Sequence, residues 1–544
     1  SSHLPQGHKG WWGLPPADVP PWGAAERMDA AGCNKKRQST LVAVGFTKKP
    51  RAGADSEGRG GRPADSEAAT PPRRGGGGTG VDAEGTSSTP KLQAAGRQGA
   101  RSRGAAQNSG VEKPAGRPPA KRDDWFSHLF GFSEAGGYAE TKRWLRVVPG
   151  LGPGAPSQLE SLVSGERFRA GHFEAPTLAQ LRKRGASVQL PGKLTVTNEL
   201  GDVGAKHALP ENRHAVFQAA SQFNCLEFVG PSVRPEDGVA GYAMDKTQGP
   251  CCAIVCGPGT VFRNYFVPLD GRGLVAVGEG QTTQQGQTAS HQLQNLADIG
   301  ALLGNDPHGR LFNVKGGYTL AGKQQLARLR EALGQLGDPD EARALLRVGV
   351  HSDLQVTSAR WGREQLRDPE QTVTQVYGSA CSVAYNCQSD NADWEAFAKL
   401  VLEASFEATL WAALLSASRH GTEGARRVFL TCLGGGVFGN RMEWISAAME
   451  RAFTLFKDYD LDVRIVTYAG RIDPCLRDLE KKFGGGNNQK SFKAIEKKFG
   501  AGNNQKGFQG QRAQTGTHAP SGQRAQTGDA LSSCFPFVRC MRLA

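Results

Sequence analysis

The run Val428-Phe429-Leu430-Thr431-Cys432-Leu433 passes directly into Gly434-Gly435-Gly436-Val437-Phe438-Gly439-Asn440, and a helix-patterned segment follows from Arg441 to Phe456. An apolar strand that ends in a glycine-dense loop and feeds a helix aims free backbone N–H groups and the positive helix end at whatever lies above the loop. This order belongs to a layered α/β fold, and the loop reads as a phosphate cradle. A plain flexible connection would also use glycine. Three in a row between a buried strand and a strong helix nevertheless suit close approach by a ligand.

Charge separates the chain into three parts. Residues 1–123 carry 20 Lys/Arg against 11 Asp/Glu, and residues 471–544 carry 13 against 5. The basic pI therefore comes from the flanks and says nothing about a binding site in the middle. Both flanks are rich in Gly, Pro, Arg, Ser and Gln and poor in clustered apolar residues, so disorder is expected there. The second flank holds two duplications: residues 480–490 recur as 496–506, and 510–516 recur as 522–528. Two polar copies are too few to stack as a solenoid. With Arg59-Gly60-Gly61-Arg62, these tails suggest weak nucleic-acid contact; duplicated filler is the plainer reading.

Eleven cysteines in no framework spacing, without a secretory signal, point to reduced thiols and a cytoplasmic or nuclear protein. Cys251-Cys252 with Cys256 is the one cluster that invites a metal. It lacks a second ligand pair at zinc-finger spacing, so small buried hydrophobes are expected, with no metal and no cofactor. No uninterrupted apolar run reaches the roughly 20 residues of a membrane span, and the expectation is a monomer without membrane contact.

The foldable part spans 124–470. Short helices are expected over 125–132, 138–147 and 176–184, and strands over 194–199 and 215–221. The second strand is apolar at nearly every position, as a strand covered on both faces should be. Helical periodicity returns over 290–303, 322–336 and 393–418, with strands over 346–350 and 372–380. Residues 427–468 close the pattern as strand, loop, helix and strand. Buried strands alternating with helices imply an α/β/α sandwich with a mixed central sheet, with ligands at the carboxyl ends of the strands.

Four separated blocks resemble the macrodomain superfamily, the ADP-ribose-binding modules to which poly(ADP-ribose) glycohydrolases are related. Leu194-Thr195-Val196-Thr197-Asn198-Glu199-Leu200-Gly201-Asp202-Val203 is similar to the strand that presents an aspartate to adenine. Val216 to Ser221, continuing through Gln222 and Phe223 to Asn224, is similar to the strand and Asn-Ala-Ala-Asn segment beside the distal ribose. Asp237-Gly238-Val239-Ala240-Gly241 falls where a first phosphate loop belongs. Gly434 to Asn440, the helix after it and residues 461–468 are similar to the second phosphate loop, its helix and the last strand. The resemblance implies a macrodomain-like fold with a large insertion between Gly241 and Arg427. It also implies a ligand, ADP-ribose or an ADP-ribosylated protein, held by Asp202, Val203, Ser221, Gln222, Asn224, Gly238, Gly434, Gly435, Gly436, Val437, Phe438, Gly439 and Asn440. The sequence departs from the family where Ser221-Gln222-Phe223 replaces Asn-Ala-Ala, and where no glutamate pair follows the first loop.

Each candidate has a plainer role. Asp202 and Asp237 are good turn formers, Asn224 can cap a turn, and Phe438 can be a core plug or a lid over a ribose or base. His351 with Asp353 is a weak catalytic signal. Glu403 and Glu407 share a helix face and should both be solvated. Residues 247–250 can open a helix with proline in its first turn and add N–H donors. Two functions stay open. One is binding of ADP-ribose or a related nucleotide diphosphate with hydrolysis that removes ADP-ribose from proteins, Asn224 orienting a water and Asp237 or the substrate phosphate acting as base. The other is a non-catalytic reader of ADP-ribosylated partners, with an unrelated α/β enzyme acting on a different phosphorylated ligand as a third reading behind both.

Overall fold

The computed structural model describes Gly116 and residues 118–121, 124–150, 155–276, 284–468 and 470–485. Most of both flanks, with residues 496–506, 510–516 and 522–528, lies outside the described residues. Nine strands form one sheet: β1 Leu145–Val148, β2 Ser157–Ser161, β3 Arg167–Glu174, β4 Thr195–Leu200, β5 Val216–Ser221, β6 Gly349–Gln355, β7 Thr372–Ser379, β8 Arg427–Leu430 and β9 Asp462–Thr467. Their order is β1-β2-β3-β6-β7-β5-β8-β9-β4. The five strands from β7 to β4 run parallel, and the other four add an antiparallel flank.

Strand β5 shows why its sequence has no polar stripe. Val216 joins the cluster under the helices Leu178–Gly185, Asn391–His420 and Met442–Leu455, while Phe217 and Ala219 join a second cluster under Gln248–Val255. Both faces are covered, so alternate residues fill opposite cores. The result is the expected α/β/α sandwich with a mixed sheet. The helix Asn391–His420 is long and apolar enough to cross a membrane by length and composition, although Lys399, Glu403 and Glu407 interrupt its apolar run. It is apolar all round because it is wedged between the sheet and other helices, and most of it is buried. It ends at Gly421, in the left-handed conformation at φ +65° that glycine adopts freely.

Several expectations change. Residues 145–148 are an edge strand, and the helix before them stops at Arg143. The helix expected over 290–303 shrinks to Ala297–Leu302, because Leu293 N–H donates to Gln287 Oε1 and Asn295 N–H to the Phe223 carbonyl. The span between Gly241 and Arg427 is built into the sheet, supplying β6, β7 and the long helix. The packed elements continue past Gly470: Pro474–Phe483 buries Leu476 and Leu479 and receives 2.9 Å hydrogen bonds from Asn198 Nδ2 at the Leu476 carbonyl and Glu480 Oε2. Glu407 is not solvated. It is buried and paired with Arg182 and Arg451 at 2.6 Å each, while Glu403 pairs with Arg343 at 2.6 Å. Cys251, Cys252 and Cys256 are buried free thiols packed with Phe217 and Phe429.

Candidate functional site

A cleft of about 280 Å³ opens at the carboxyl ends of β5, β8 and β9. One wall is the loop after β8. Gly434 and Gly439 have φ of +73° and +75°, and a Cβ at either would collide with Ala380 or Ala384. The Asn440 amide clips the loop shut, donating to the Cys381 carbonyl at 2.8 Å and the Gly434 carbonyl at 3.2 Å. Within the loop, the N–H groups of Gly435, Gly439 and Asn440 are spent on neighbouring carbonyls. Those of Gly434, Gly436, Val437 and Phe438 have no acceptor among the described residues. Gly436 also faces open space, so the loop is a preformed set of donors with room above it.

The facing wall starts with the helix Gln248–Val255. Its first N–H groups have no helical acceptor, and Thr247 N–H donates to Asp245 Oδ1 at 2.9 Å. Both Gln248 and Gly249 line the cleft. A third side is aromatic: Phe438 lies 5.3 Å from Tyr318 and 5.7 Å from Tyr385, centroid to centroid. No Lys or Arg lines the cleft among the described residues, so backbone donors carry any anion recognition.

Glu227 is the chemically distinctive group. Its side chain is buried to 2% exposure, and Oε1 has no hydrogen-bond partner. Gly249 is required beside it, because a Cβ there would strike Glu227 Oε2 and the Ala220 carbonyl. Burial raises its pKa well above the ordinary carboxyl range; Arg263 opposes that shift and Asp245 reinforces it. A carboxyl kept neutral in a cleft can donate a proton. Asp245, partly exposed, is the second carboxyl on the same cleft.

The sequence candidates divide. Ser221, Gln222, Gly434, Gly436, Val437 and Phe438 line the cleft. Gly435 does not: its Cα faces Ile445 at the back of the loop, where a Cβ would lie 2.9 Å from Cδ1. Gly439 and Asn440 support the loop from behind. Asp202 caps the short helix Val203–His207, accepting from Gly204 N–H at 2.8 Å and the Cys251 thiol at 3.3 Å, and Val203 is core. Neither lines the cleft.

Three assignments are corrected. Asn224 is fully buried, with Nδ2 on Gln292 Oε1 at 2.8 Å and Oδ1 on Leu226 N–H at 3.1 Å, so its amide is committed to the turn and cannot orient a substrate water. Asp237 is exposed and paired with Arg234, whose backbone and side-chain hydrogen bonds hold its pKa low; it forms a turn and lies off the cleft. Gly238 does not approach a phosphate. The loop it opens donates from Val239 N–H at 3.1 Å and Ala240 N–H at 2.5 Å to the protein's own Glu134, which fills that place. His351 is buried against Phe173 and Arg263, and Asp353 pairs with His420 and Arg419, both away from the cleft lining. Glu227 went unread in the sequence. The available signal was one acid inside the apolar stretch Leu226-Glu227-Phe228, five residues beyond the end of β5.

No protein-family model matches this sequence, and no curated protein matches it significantly. Among solved structures, the chain is similar to poly(ADP-ribose) glycohydrolase from Thermomonospora curvata bound to the inhibitor ADP-HPD, at 12% identity over 58% of this chain and 89% of that one, with a TM-score of 0.25. It is also similar to the poly(ADP-ribose) glycohydrolase from Deinococcus radiodurans in complex with ADP-ribose, at 13% identity over 57% and 93% of the two chains and a TM-score of 0.28. A second crystal form of that complex gives 11%, 57%, 94% and 0.29.

Proposed function

We propose that the cleft binds ADP-ribose, or a close nucleoside-diphosphate relative, and hydrolyses the glycosidic bond that joins its distal ribose to a modified protein. The observation that carries this reading is Glu227, a buried carboxyl whose Oε1 has no hydrogen-bond partner, held against a helix start in a cleft whose other wall is an unspent row of N–H groups. The diphosphate spans the N–H groups of Gly436, Val437 and Phe438 and the start of Gln248–Val255. The rings of Tyr318, Tyr385 and Phe438 cover its apolar and planar parts.

The reaction uses the two carboxyls in separate roles. Glu227 gives its proton to the departing oxygen as the bond from ribose C1″ breaks. Asp245 takes a proton from the water that attacks C1″ through an oxocarbenium-like transition state. The products are ADP-ribose and the freed side chain, and proton exchange with solvent resets both acids. Burial suits Glu227 to its part, because the neutral form is the one the cleft favours. Calorimetric titration of the whole chain is the test: ADP-ribose is expected to bind at least ~10-fold tighter than AMP, which lacks half of the diphosphate. Absence of heat with ADP-ribose overturns the reading.

A further inference from the structure

Arg263 is fully buried on the helix Gly257–Tyr265, and among the described residues no carboxylate lies within salt-bridge distance of it. Its Nε donates to the Cys225 carbonyl at 3.1 Å, Nη1 meets His351 Nδ1 at 3.2 Å, and Nη2 donates to Thr260 Oγ1 at 3.2 Å. The guanidinium also lies 3.7 Å from the Tyr377 ring centroid. A buried positive charge without an ion partner costs several kcal/mol, and such groups persist where they serve a site. Cys225, whose carbonyl Arg263 holds, is a non-glycine residue at φ +59°. That strained turn leads two residues later to Glu227, so Arg263 braces the backbone that delivers the buried acid into the cleft.

Building on the hydrolase reading, we propose that Arg263 is a positioning residue for Glu227: it holds the Cys225 turn and supplies the positive charge that steadies the Glu227 carboxylate once its proton has left. Among the described residues, the other titratable groups whose charges bear on Glu227 are Asp245, Tyr242, Tyr318, Tyr377, Cys225 and Cys252. None of them is a cation. Arg263 is therefore the group able to offset the carboxylate's charge from below the cleft, and it does so through bonds that leave the cleft itself to substrate.

Infrared titration of the carboxyl band, assigned to Glu227 by its loss in Glu227→Gln, reads the coupling without requiring turnover. In Arg263→Met the protonation midpoint is expected to rise by ~1–3 pH units, the usual influence of one nearby opposite charge. Arg263→Gln serves if the methionine variant does not fold. Arg263→Lys keeps the charge but loses the fork, and is expected to hold the midpoint while lowering turnover. An unmoved midpoint in a folded Arg263→Met or Arg263→Gln protein overturns the inference. A moved midpoint in a protein that never releases ADP-ribose overturns the hydrolase reading and keeps the coupling.

Discussion

Two glycine-containing loops invite the same interpretation in the sequence, and the structure gives them opposite fates. The loop 237–241 turns its N–H groups onto Glu134, a carboxyl 105 residues upstream of Val239, which Tyr265 also bonds at 2.8 Å. The loop 434–440 leaves four N–H groups unspent and faces an open cleft. Both loops present backbone donors: one already holds the protein's own Glu134, and the other faces open space. Composition reveals the donors of such a loop but not whether another part of the chain already occupies them.

The contrast can be broken most forcefully at Gly436. With open space beside its Cα, Gly436→Glu should fold normally while placing a negative charge among the free donors. Like-charge repulsion of about 3 kcal/mol corresponds to ~100-fold weaker ADP-ribose binding, measurable by calorimetry beside an unchanged melting temperature. Unchanged affinity would mean the open loop holds no phosphate.

The closed loop should answer to pH instead. Burial raises Glu134 from 4.5 to about 6, so the folded state binds a proton more tightly than the unfolded chain. Its stabilising contribution is complete below about pH 4.5 and is lost as pH rises through about 6. The difference is roughly 2 kcal/mol. Denaturant unfolding of the parent chain and Glu134→Gln across that range should show their stability gap shifting against the parent as pH rises. A gap that stays flat would detach Glu134 from the loop. The smallest effect belongs to Asp237→Ala, which removes an exposed turn carboxylate and should cost less than about 1 kcal/mol and leave ADP-ribose release unaltered. A large fall in release would restore Asp237 as a catalytic group.

What the sequence disclosed follows the range of its signals. Strand β5 and the passage from β8 into its glycine loop are contiguous patterns, legible because both faces of the strands are covered and Gln218 is the one polar interruption before the end of β5. Strand β3 alternates only at Phe168 and Ala170 before the period breaks at Gly171 and Phe173 falls out of step, so it is hard to read, and β1 reads as the end of a helix. Asn224, Gly238 and Glu227 were beyond local reading, because distant residues settle their roles. Gln292 and Leu226 consume the Asn224 amide, Glu134 fills the loop at Gly238, and Gly249 admits Glu227 to the cleft. A lone acid in an apolar stretch has no periodicity. Its meaning comes only from the helix that packs over it.

On the proposed reading, the buried carboxyl of Glu227 does chemistry on a ligand held by the open loop. Glu227→Gln keeps the shape and removes the transferable proton, so release of ADP-ribose from a mono-ADP-ribosylated protein should fall by ~10²–10⁴-fold while calorimetric affinity for ADP-ribose changes little. Release at the parental rate from the folded variant would contradict the account.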